Sequence, residues 1–457
     1  MNRIMRAGSL AACRRTCASA VTRSTGASTT MVIGAGPAGI TAVGWLLSRK
    51  QRVIWVDPSF SGGALDSYRD VPANTKVDVL SPVFSGAGCF LPDGLPDGAP
   101  VEALDRMRDS AKHLPGYSSD PAELGWTGLD KCHDLFCAVT NSLMERHARG
   151  DGTLQIVHGR VNALKMSEHH GAAGRWSARV HGAPSEAFEL FASNVVLATG
   201  ALPNHVPTEM HPSSWACSPI KQPRILSVDH ALQLETLRRL VQPHETVGVI
   251  GGGHTGVVLT LLLTESLGVS THLFIRRPIQ LAQWDRAAES YAAWAFRGLK
   301  GAAASYAQRR GLVGSMPPNG PVALPSDAAL SAAESGSLEL HHVDRLIQCS
   351  DTGKNLDAVI FCLGFGAPPI PTILSSSGAV VPQPASHQHP GGALLDDDGH
   401  PIAGLYGVGL GFADNEFTSG RPYAEAGFAP FAARAAEIAA AISAPPQSLP
   451  GSVLRNL

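Results

Sequence analysis

The sequence predicts an α/β protein of two domains built on one plan, with the second domain inserted in the first. An apolar strand, a glycine-rich turn and a helical pattern follow one another twice, at residues 30–47 and 246–267. Each copy leads into short strand patterns, at residues 154–157, 176–180, 188–191 and 194–197 in the first half and at 338–341, 345–348 and 358–361 in the second. Each series closes on a small phrase, Ala198-Thr199-Gly200 in the first half and Cys362-Leu363-Gly364 in the second. The repeat indicates two domains with the same order of elements.

Composition narrows the class of protein. A chain of 457 residues can bury two or three cores, and a formal net charge of -2 without basic clusters argues against nucleic acid as a partner. The most apolar stretch, residues 257–269, is shorter than the roughly 18 apolar residues that a bilayer span requires. The eight cysteines are scattered without a C-x-x-C pair, and the histidine pairs at 169–170 and 387–389 have no third ligand nearby. We therefore expect neither a membrane span nor a metal site.

The N-terminal segment, residues 1–28, has the composition of a transit peptide. It is rich in Arg, Ser, Thr and Ala, and the first acidic residue of the chain is Asp57. Mitochondrial import is the leading interpretation, with a plastid or cytoplasmic protein as alternatives. A disordered extension would have a similar composition. Residues 446–457 are expected to form a tail.

The first glycine turn follows the strand at residues 30–33 and opens a helix, which is the arrangement that binds a dinucleotide. Backbone N–H groups at the helix start face the pyrophosphate, and the candidate contacts are Gly34, Gly36, Pro37, Ala38 and Gly39. A second strand, residues 53–56, ends in Asp57, whose carboxylate suits ribose hydroxyls and repels a 2′-phosphate. This turn therefore predicts a site for FAD or NAD.

The second glycine turn repeats the pattern after the strand at residues 246–250. Its candidate contacts are Gly251, Gly253, His254, Thr255 and Gly256. The next strand ends in Arg276-Arg277 rather than an acid, and guanidinium groups suit the 2′-phosphate of NADPH. NADH stays open, because the two arginines also fit a solvated loop. We expect His254 to have a structural or phosphate-adjacent role rather than to transfer protons.

These motifs, taken in order, resemble the pyridine-nucleotide-dependent flavoproteins, which include disulfide reductases, NADH dehydrogenases and flavin-containing monooxygenases. The resemblance spans residues 30–442. It implies two Rossmann-like, three-layer ββα domains: an FAD domain at 29–203 and 351–445, and an NAD(P) domain at 204–350. It also implies that Gly200, Gly364, Gly409 and Leu410 contact cofactor.

The subgroup depends on a few positions. Disulfide reductases carry an acid where this chain has Gly409-Leu410, and neither Cys13/Cys17 nor Cys132/Cys137 stands where those enzymes keep a redox pair. Gly409-Leu410 and Asn74, downstream of Gly62-Gly63, look more like flavin-containing monooxygenases, in which the matching Asn lies near the flavin. Asn74 is therefore the candidate catalytic residue, and the alternative is a turn residue after Pro72-Ala73.

One monooxygenase motif is absent. The expected Phe-x-Gly followed by His does not occur in residues 201–246, and the Asp229-His230 segment is at best a remnant. Two enzyme hypotheses therefore stay open, both with hydride passing from NADPH to flavin. One is oxygenation of a soft nitrogen, sulfur or carbonyl group, and the other is reduction of a quinone or similar acceptor. A non-catalytic cofactor-binding sensor is the third hypothesis. The expected partner is a small molecule, and a homodimer stays open. The loop after residue 412 supplies further candidates to contact flavin or substrate: Asp414, Asn415, Arg421 and Tyr423.

Overall fold

The computed structural model describes most of the two predicted domains. The described residues are 28–77, 84–85, 91–112, 126–148, 152–167, 175–182, 187–211, 222–282, 284–285, 290–291, 298–313, 338–342, 356–366, 370–381, 392–396, 398–412 and 428–444. The segment 1–27, the tail 446–457, the histidine pairs and the loop candidates Asp414 to Tyr423 lie outside them. Within the described part of the chain, no helix combines the length and the apolar character that crossing a membrane requires.

The strands, numbered in chain order, are β1 (Thr29–Ile33), β2 (Arg52–Asp57), β3 (Pro72–Lys76), β4 (Trp126–Gly128), β5 (Leu154–His158), β6 (Arg160–Met166), β7 (Trp176–His181), β8 (Ala187–Ala192), β9 (Asn194–Leu197), β10 (Leu202–Pro203), β11 (Arg224–Leu226), β12 (Thr246–Ile250), β13 (Ser270–Ile275), β14 (Trp284–Asp285), β15 (Ser290–Tyr291), β16 (Leu338–His342), β17 (Ala358–Phe361), β18 (Phe365–Gly366), β19 (Thr372–Leu374), β20 (Ala393–Leu395) and β21 (Pro401–Gly407). The helices are α1 (Pro37–Ser48), α2 (Ala99–Ala111), α3 (Leu129–Ala148), α4 (Val228–Ala231), α5 (Leu234–Leu240), α6 (His254–Leu261), α7 (Gly301–Arg309) and α8 (Phe428–Ser443). Short 3₁₀ turns occupy Gly63–Tyr68, Thr208–Met210 and Leu410–Phe412, and a π-helical turn at Leu262–Ser266 continues α6.

The first domain is built on a six-stranded sheet in the order β20-β21-β9-β1-β2-β5. Its strands run parallel except for the edge strand β20. Central strands of such a sheet are covered on both faces, so they read as unbroken apolar runs. Residues 31–33 of β1 and 53–56 of β2 are accordingly buried.

Successive side chains of these strands enter different layers. Val32 and Trp55 join the core formed with α1, α3 and α8, while Met31 and Ile54 join a core beneath the sheet β19-β6-β7-β8. The predicted three-layer ββα arrangement of the first domain is therefore confirmed. Since β19 to β21 and α8 come from the C-terminal part of the chain, both ends of the chain build this domain.

The second domain has a five-stranded parallel sheet in the order β11-β17-β12-β13-β16. Helices α4 to α7 cover one face of it through a core that includes Leu237, Val249, Leu259 and Tyr306. The chain thus makes the predicted inserted α/β domain. Strand β17 pairs with β11 and β12, so this sheet extends to Phe361, beyond the boundary predicted at residue 351. The reason is that β17 is the strand that completes the sheet, and it precedes the return to the first domain.

Two short strands link the domains. Where the chain leaves the first domain, β10 pairs antiparallel with β18, where the chain returns. The Asn204 N–H donates to the Gly364 carbonyl at 3.0 Å, an ordinary hydrogen-bond distance. The Asn204 side-chain amide also donates to the Leu363 carbonyl. Gly364, a predicted cofactor contact, thus lies in the link between domains.

Candidate functional site

The first glycine turn lies at the carboxyl end of β1, between β2 and β9. Gly34 has φ +114, and a Cβ there would stand 2.4 Å from the Ala198 carbonyl oxygen. A Cβ on Gly39 would stand 2.0 Å from the Gly34 carbonyl oxygen, because α1 packs closely on the strand. Both positions therefore require glycine, as the sequence pattern predicts.

Helix α1 begins without a side-chain cap. Its N-cap is Gly36, Pro37 occupies the first turn, and no side chain of the described residues accepts from the first N–H groups. These N–H groups, together with the positive end of the helix dipole, can bind an anion. The backbone of Gly62 and Gly63 lies across the turn, at 3.8–3.9 Å from a Cβ placed on Gly36. The uncapped helix start fits the pyrophosphate of a dinucleotide.

Asp57 ends β2 and is only 7% exposed. One carboxylate oxygen accepts the Ala35 N–H at 2.8 Å, and the other accepts the N–H groups of Ser59 and Phe60 at 2.8 and 2.7 Å. Asp57 therefore connects the glycine turn to the loop that follows β2 through hydrogen bonds to both. Contact with ribose hydroxyls stays a prediction, which the remaining lone pairs of the two oxygens permit.

The C-terminal part of the chain returns to the same edge of the sheet. Gly409, with φ +105, follows β21, and a Cβ there would stand 2.9 Å from the Ala38 Cβ. The next side chain, Leu410, is 43% exposed. Gly200 follows β9 with φ +78, and a Cβ there would meet no atom within 4 Å. The structure thus brings Gly200, Gly409 and Leu410 to the edge that carries the first glycine turn.

The second glycine turn has the same geometry. Gly251 has φ +124, and a Cβ there would stand 2.4 Å from the Cys362 carbonyl oxygen, while one on Gly256 would stand 1.8 Å from the Gly251 carbonyl oxygen. Gly253 is the N-cap of α6, again without a side-chain cap among the described residues. A Cβ on Gly253 would meet nothing within 4 Å. This open space at a helix start fits a second dinucleotide.

His254 links this turn to α7. Its Nε2 accepts the Lys300 N–H at 2.8 Å, so the ring is neutral with its proton on Nδ1. Burial, together with the nearby Lys300 charge, lowers the pKa of His254 to about 4. Burial also lowers the pKa of Lys300 to about 8. The bond to Lys300 is a structural contact, and the place of His254 beside a phosphate stays a prediction. Sequence reasoning missed Lys300, a single cation before a small-residue helix without a motif around it.

The remaining predicted contacts of the second site surround this turn. Thr255 is the second residue of α6 and half-buried. Arg276 and Arg277 follow β13 directly and are both exposed. Since β12 and β13 are parallel neighbours, both arginines leave the sheet at the edge that carries Gly251. They are placed where a guanidinium could bind a 2′-phosphate.

Asn74 lies in β3, which pairs with β4 and packs against α7 of the second domain. The alternative interpretation as a turn residue is therefore wrong, because the segment after Pro72 continues as a strand. The backbone of Asn74 lies where the two domains meet. Its side chain is outside the part of the structure that is described.

The domains also contact each other through the segment that follows Gly63. The Tyr68 hydroxyl donates to Asp229 of α4, and the Leu234 N–H donates to the Asp70 carboxylate at 2.9 Å. Tyr68 and Val71 pack on the core of the second domain. Burial, followed by the hydrogen bond and charge of Asp229, raises the pKa of Tyr68 above its usual range. The phenol therefore stays a donor across the physiological pH range.

The cysteines of the described chain form no disulfide. Cys132, Cys137 and Cys362 are free thiols. Cys132 is fully buried and burial raises its pKa to about 12, as expected for a structural thiol. Cys137 lies 3.4 Å from the Nε2 of His133, and His133 also contacts the Ser61 carbonyl. Helix α3 therefore supports the loop that covers the first glycine turn.

Comparison with known proteins agrees with this geometry. Residues 28–300, more than half of the chain, match the model of the pyridine nucleotide-disulphide oxidoreductase family. The monooxygenase AgnR1 of Paecilomyces divaricatus is 26% identical over 408 residues, which cover 84% of this chain and 90% of that protein.

Solved structures share the fold. The ornithine hydroxylase PvdA from Pseudomonas aeruginosa superposes with a TM-score of 0.59 at 12% identity, covering 92% of this chain and 99% of that one. The ornithine N-hydroxylase KtzI from Kutzneria sp. 744, solved with reduced FAD, NADP+ and L-ornithine, gives a TM-score of 0.55 at 13% identity, covering 91% and 99%. With its two glycine turns and the match over residues 28–300, the chain belongs to the pyridine nucleotide-disulphide oxidoreductase family, whose members are FAD- and NAD(P)-dependent oxidoreductases.

Proposed function

We propose that this protein is an FAD-dependent, NADPH-using monooxygenase that acts on a small molecule. One observation carries the proposal: a single chain holds two glycine turns, each opening an uncapped helix at the carboxyl edge of a parallel sheet. The likeness to the monooxygenase AgnR1 over most of both chains supports the choice of reaction.

The first turn suits FAD and the second suits NADPH. FAD is assigned to Gly34, Gly36 and Gly39 because both ends of the chain converge there, bringing Gly409 and the exposed Leu410 next to α1. NADPH is assigned to the second turn because Arg276 and Arg277 offer two exposed guanidinium groups at the end of β13. Asp57 at the equivalent place of the first turn would repel a 2′-phosphate.

When bound, the two cofactors would supply the redox chemistry, which is hydride transfer and the activation of oxygen. The protein binds and orients the two groups and excludes water. Contacts of Tyr68 with Asp229 and of Asp70 with Leu234 fix the second domain against the loop that covers the first turn. Asn74 remains the candidate catalytic residue, because β3 carries it to the junction of the domains.

A disulfide reductase is less well supported. Leu410 replaces the acid that such enzymes carry after the last strand, and neither Cys13/Cys17 nor Cys132/Cys137 stands where those enzymes keep a redox pair. Reduction of a quinone or another small acceptor needs the same two cofactors as oxygenation. The difference between the two therefore lies in what happens to oxygen after the flavin is reduced.

The test uses the full chain loaded with FAD. Anaerobic NADPH should bleach the flavin, and admission of ¹⁸O₂ with a panel of amines, thioethers and ketones should place one labelled atom in a product. Asn74→Ala should keep the rate of bleaching and lose most of the product, with hydrogen peroxide formed instead. Bleaching with fast quinone turnover and unlabelled products throughout would show a reductase. A bound flavin that NADPH does not bleach would show a cofactor-binding protein without turnover.

A further inference from the structure

Three potential metal ligands meet on the second domain, away from its glycine turn. His272 lies in β13, and Glu339 and His341 lie in the neighbouring edge strand β16. The register pairs His272 with Glu339 and Phe274 with His341. Because residues two apart share a face of a strand, all three side chains project from the face opposite helices α6 and α7. Leu273 and Leu338 enter the core on the other face.

The three ligand atoms form a compact triangle. His272 Nδ1 lies 2.8 Å from His341 Nε2, and each of these nitrogens lies 3.5 Å from the same Glu339 carboxylate oxygen, Oε2. The centre of a triangle with these sides is about 1.9 Å from every corner, slightly less than the Zn–N distance of roughly 2.0–2.1 Å. An ion placed less than 1 Å above the triangle would therefore reach all three atoms at about 2.1 Å, within the usual range of zinc–ligand distances.

The surroundings hold the two imidazoles in this arrangement. Their planes are 9° apart, and the Phe274 ring stacks on His341 with ring centroids 4.8 Å apart. The two rings are 17% and 18% exposed, while Glu339 is 65% exposed, so a fourth position opens to water. The proton shared in the present hydrogen bond can move to the outer nitrogen of its ring, which leaves two lone pairs for an ion without net loss of a proton.

We propose that His272, His341 and Glu339 form a binding site for a divalent transition-metal ion, with Zn²⁺ as the ion that fits best. Two imidazoles and one carboxylate with an open fourth position are a ligand set of zinc, whereas Mg²⁺ and Ca²⁺ prefer oxygen ligands. The ion would join the edge strand β16 to β13, the strand that leads to Arg276. It would thereby fix the edge of the second domain.

A second cluster, made of Asp396, Asp398 and His400, provides the control. Its ligand atoms are also close together, but the Asp396 carboxylate already accepts the N–H groups of Asp398 and His400 at 3.1 and 2.8 Å. The His400 side chain is 78% exposed. This carboxylate stabilises a turn, so we assign no ion to it, and His400→Ala is a matched loss of one histidine.

The sequence pattern alone argued against any metal site. The two histidine positions are 69 residues apart, and the only local signal is the spacing of Glu339 and His341. Parallel pairing of β13 and β16 brings His272 to this pair as the third ligand. Spacing along the sequence does not show this, because the contact depends on the fold.

The test measures Zn²⁺ binding by the full-length, untagged protein loaded with FAD, with a chromophoric zinc indicator as competitor. One ion per chain with a Kd in the micromolar range or below is expected, and Mg²⁺ should not displace it. His341→Ala and His272→Ala should each weaken binding at least tenfold, and Glu339→Gln severalfold. His400→Ala should change the Kd less than twofold.

Folding is checked through FAD content and the melting temperature without added zinc. If a histidine variant folds poorly, Glu339→Gln decides the matter, because its exposed side chain contributes little to the core. Zinc should raise the melting temperature of the wild type and of His400→Ala but not of His341→Ala. Equal affinity in the wild type and in the folded triad variants would overturn the proposal, as would binding of Mg²⁺ in preference to Zn²⁺.

Discussion

At the residue scale, the glycines of the second turn differ in what a methyl group would meet. At Gly251, φ is +124 and a Cβ would stand 2.4 Å from a backbone oxygen, so any side chain strains the fold. At Gly253 the backbone is extended and a Cβ would meet no atom within 4 Å. The fold therefore requires glycine at residue 251 but not at residue 253, where we predict that a bound nucleotide requires it.

Gly253→Ala should consequently separate binding from folding. The variant is expected to keep its FAD, and its free energy of unfolding should differ from that of the wild type by no more than about 0.5 kcal/mol, because alanine fits the backbone without strain. Its Kd for NADPH should rise at least tenfold, because the methyl group occupies the space in front of the helix start. The Kd is measured by titrating the empty nicotinamide site with NADPH while the flavin fluorescence is recorded. Gly251→Ala is the contrast and should lose stability by about 2 kcal/mol or more. Unchanged NADPH affinity in Gly253→Ala would place the nucleotide elsewhere.

His254 gives the second prediction at this scale. Burial lowers the pKa of His254 to about 4 in the folded protein, against 6.5 for a free histidine side chain. Between these values the unfolded chain binds more protons than the folded one, so stability is lost as pH falls from 6.5 towards 4. The expected loss from this residue between pH 7 and pH 5 is about 2 kcal/mol.

The measurement is urea unfolding of the wild type and of His254→Gln at both pH values. The glutamine offers an acceptor oxygen to the Lys300 N–H but does not titrate. The stability gap between pH 7 and pH 5 should therefore be smaller in the variant by about 2 kcal/mol. A gap of the same size in both proteins would mean that the ring is protonated in the folded state near its ordinary pKa.

At the element scale, strands with a continuous apolar run were predicted to within one residue. The prediction for residues 194–197 and 358–361 matches β9 and β17, and the strand–turn–helix units match β1-α1 and β12-α6. Both the strand and the glycine turn are local signals, so one sequence shows them. Strand β6 was missed, since its exposed and buried positions alternate irregularly around a bulge between Val161 and Ala163.

Contacts between distant elements could not be predicted in this way. The segment Cys132–Cys137 does not stand where a redox pair is expected, yet α3 carries His133, from the same segment, to the Ser61 carbonyl at 2.9 Å, beside the first glycine turn. Similarly, 161 residues separate Tyr68 from Asp229, and 46 separate His254 from Lys300. Each pair depends on how the sheets and helices pack, which neither periodicity nor motif spacing encodes.

At the scale of the whole molecule, the described parts of the two domains meet at the ribbon of β10 and β18, at the packing of β3 on α7, and at the contacts of residues 68–71 with α4 and α5. The last of these joins the loop over the first glycine turn directly to the second domain. A hydride can pass only if the nicotinamide and flavin are held in contact, so this docking should affect flavin reduction more than NADPH binding.

The hydrogen bond between Tyr68 and Asp229 tests that expectation. A bond to a charged acceptor contributes about 1.5–3 kcal/mol net, which corresponds to roughly a tenfold or larger change in the docked population. Tyr68→Phe and Asp229→Asn should each slow anaerobic flavin reduction by about tenfold in stopped-flow measurements, with the Kd for NADPH changed less than twofold. The double variant should be no slower than the slower single variant, because both changes remove one interaction. Arg238→Gln, which removes an exposed ion pair within α5 alone, should leave the rate unchanged. Additive losses of rate in the double variant would show that the two residues act through separate contacts. Wild-type rates in both single variants would show that the ribbon of β10 and β18 and the packing of β3 hold the domains together without this hydrogen bond.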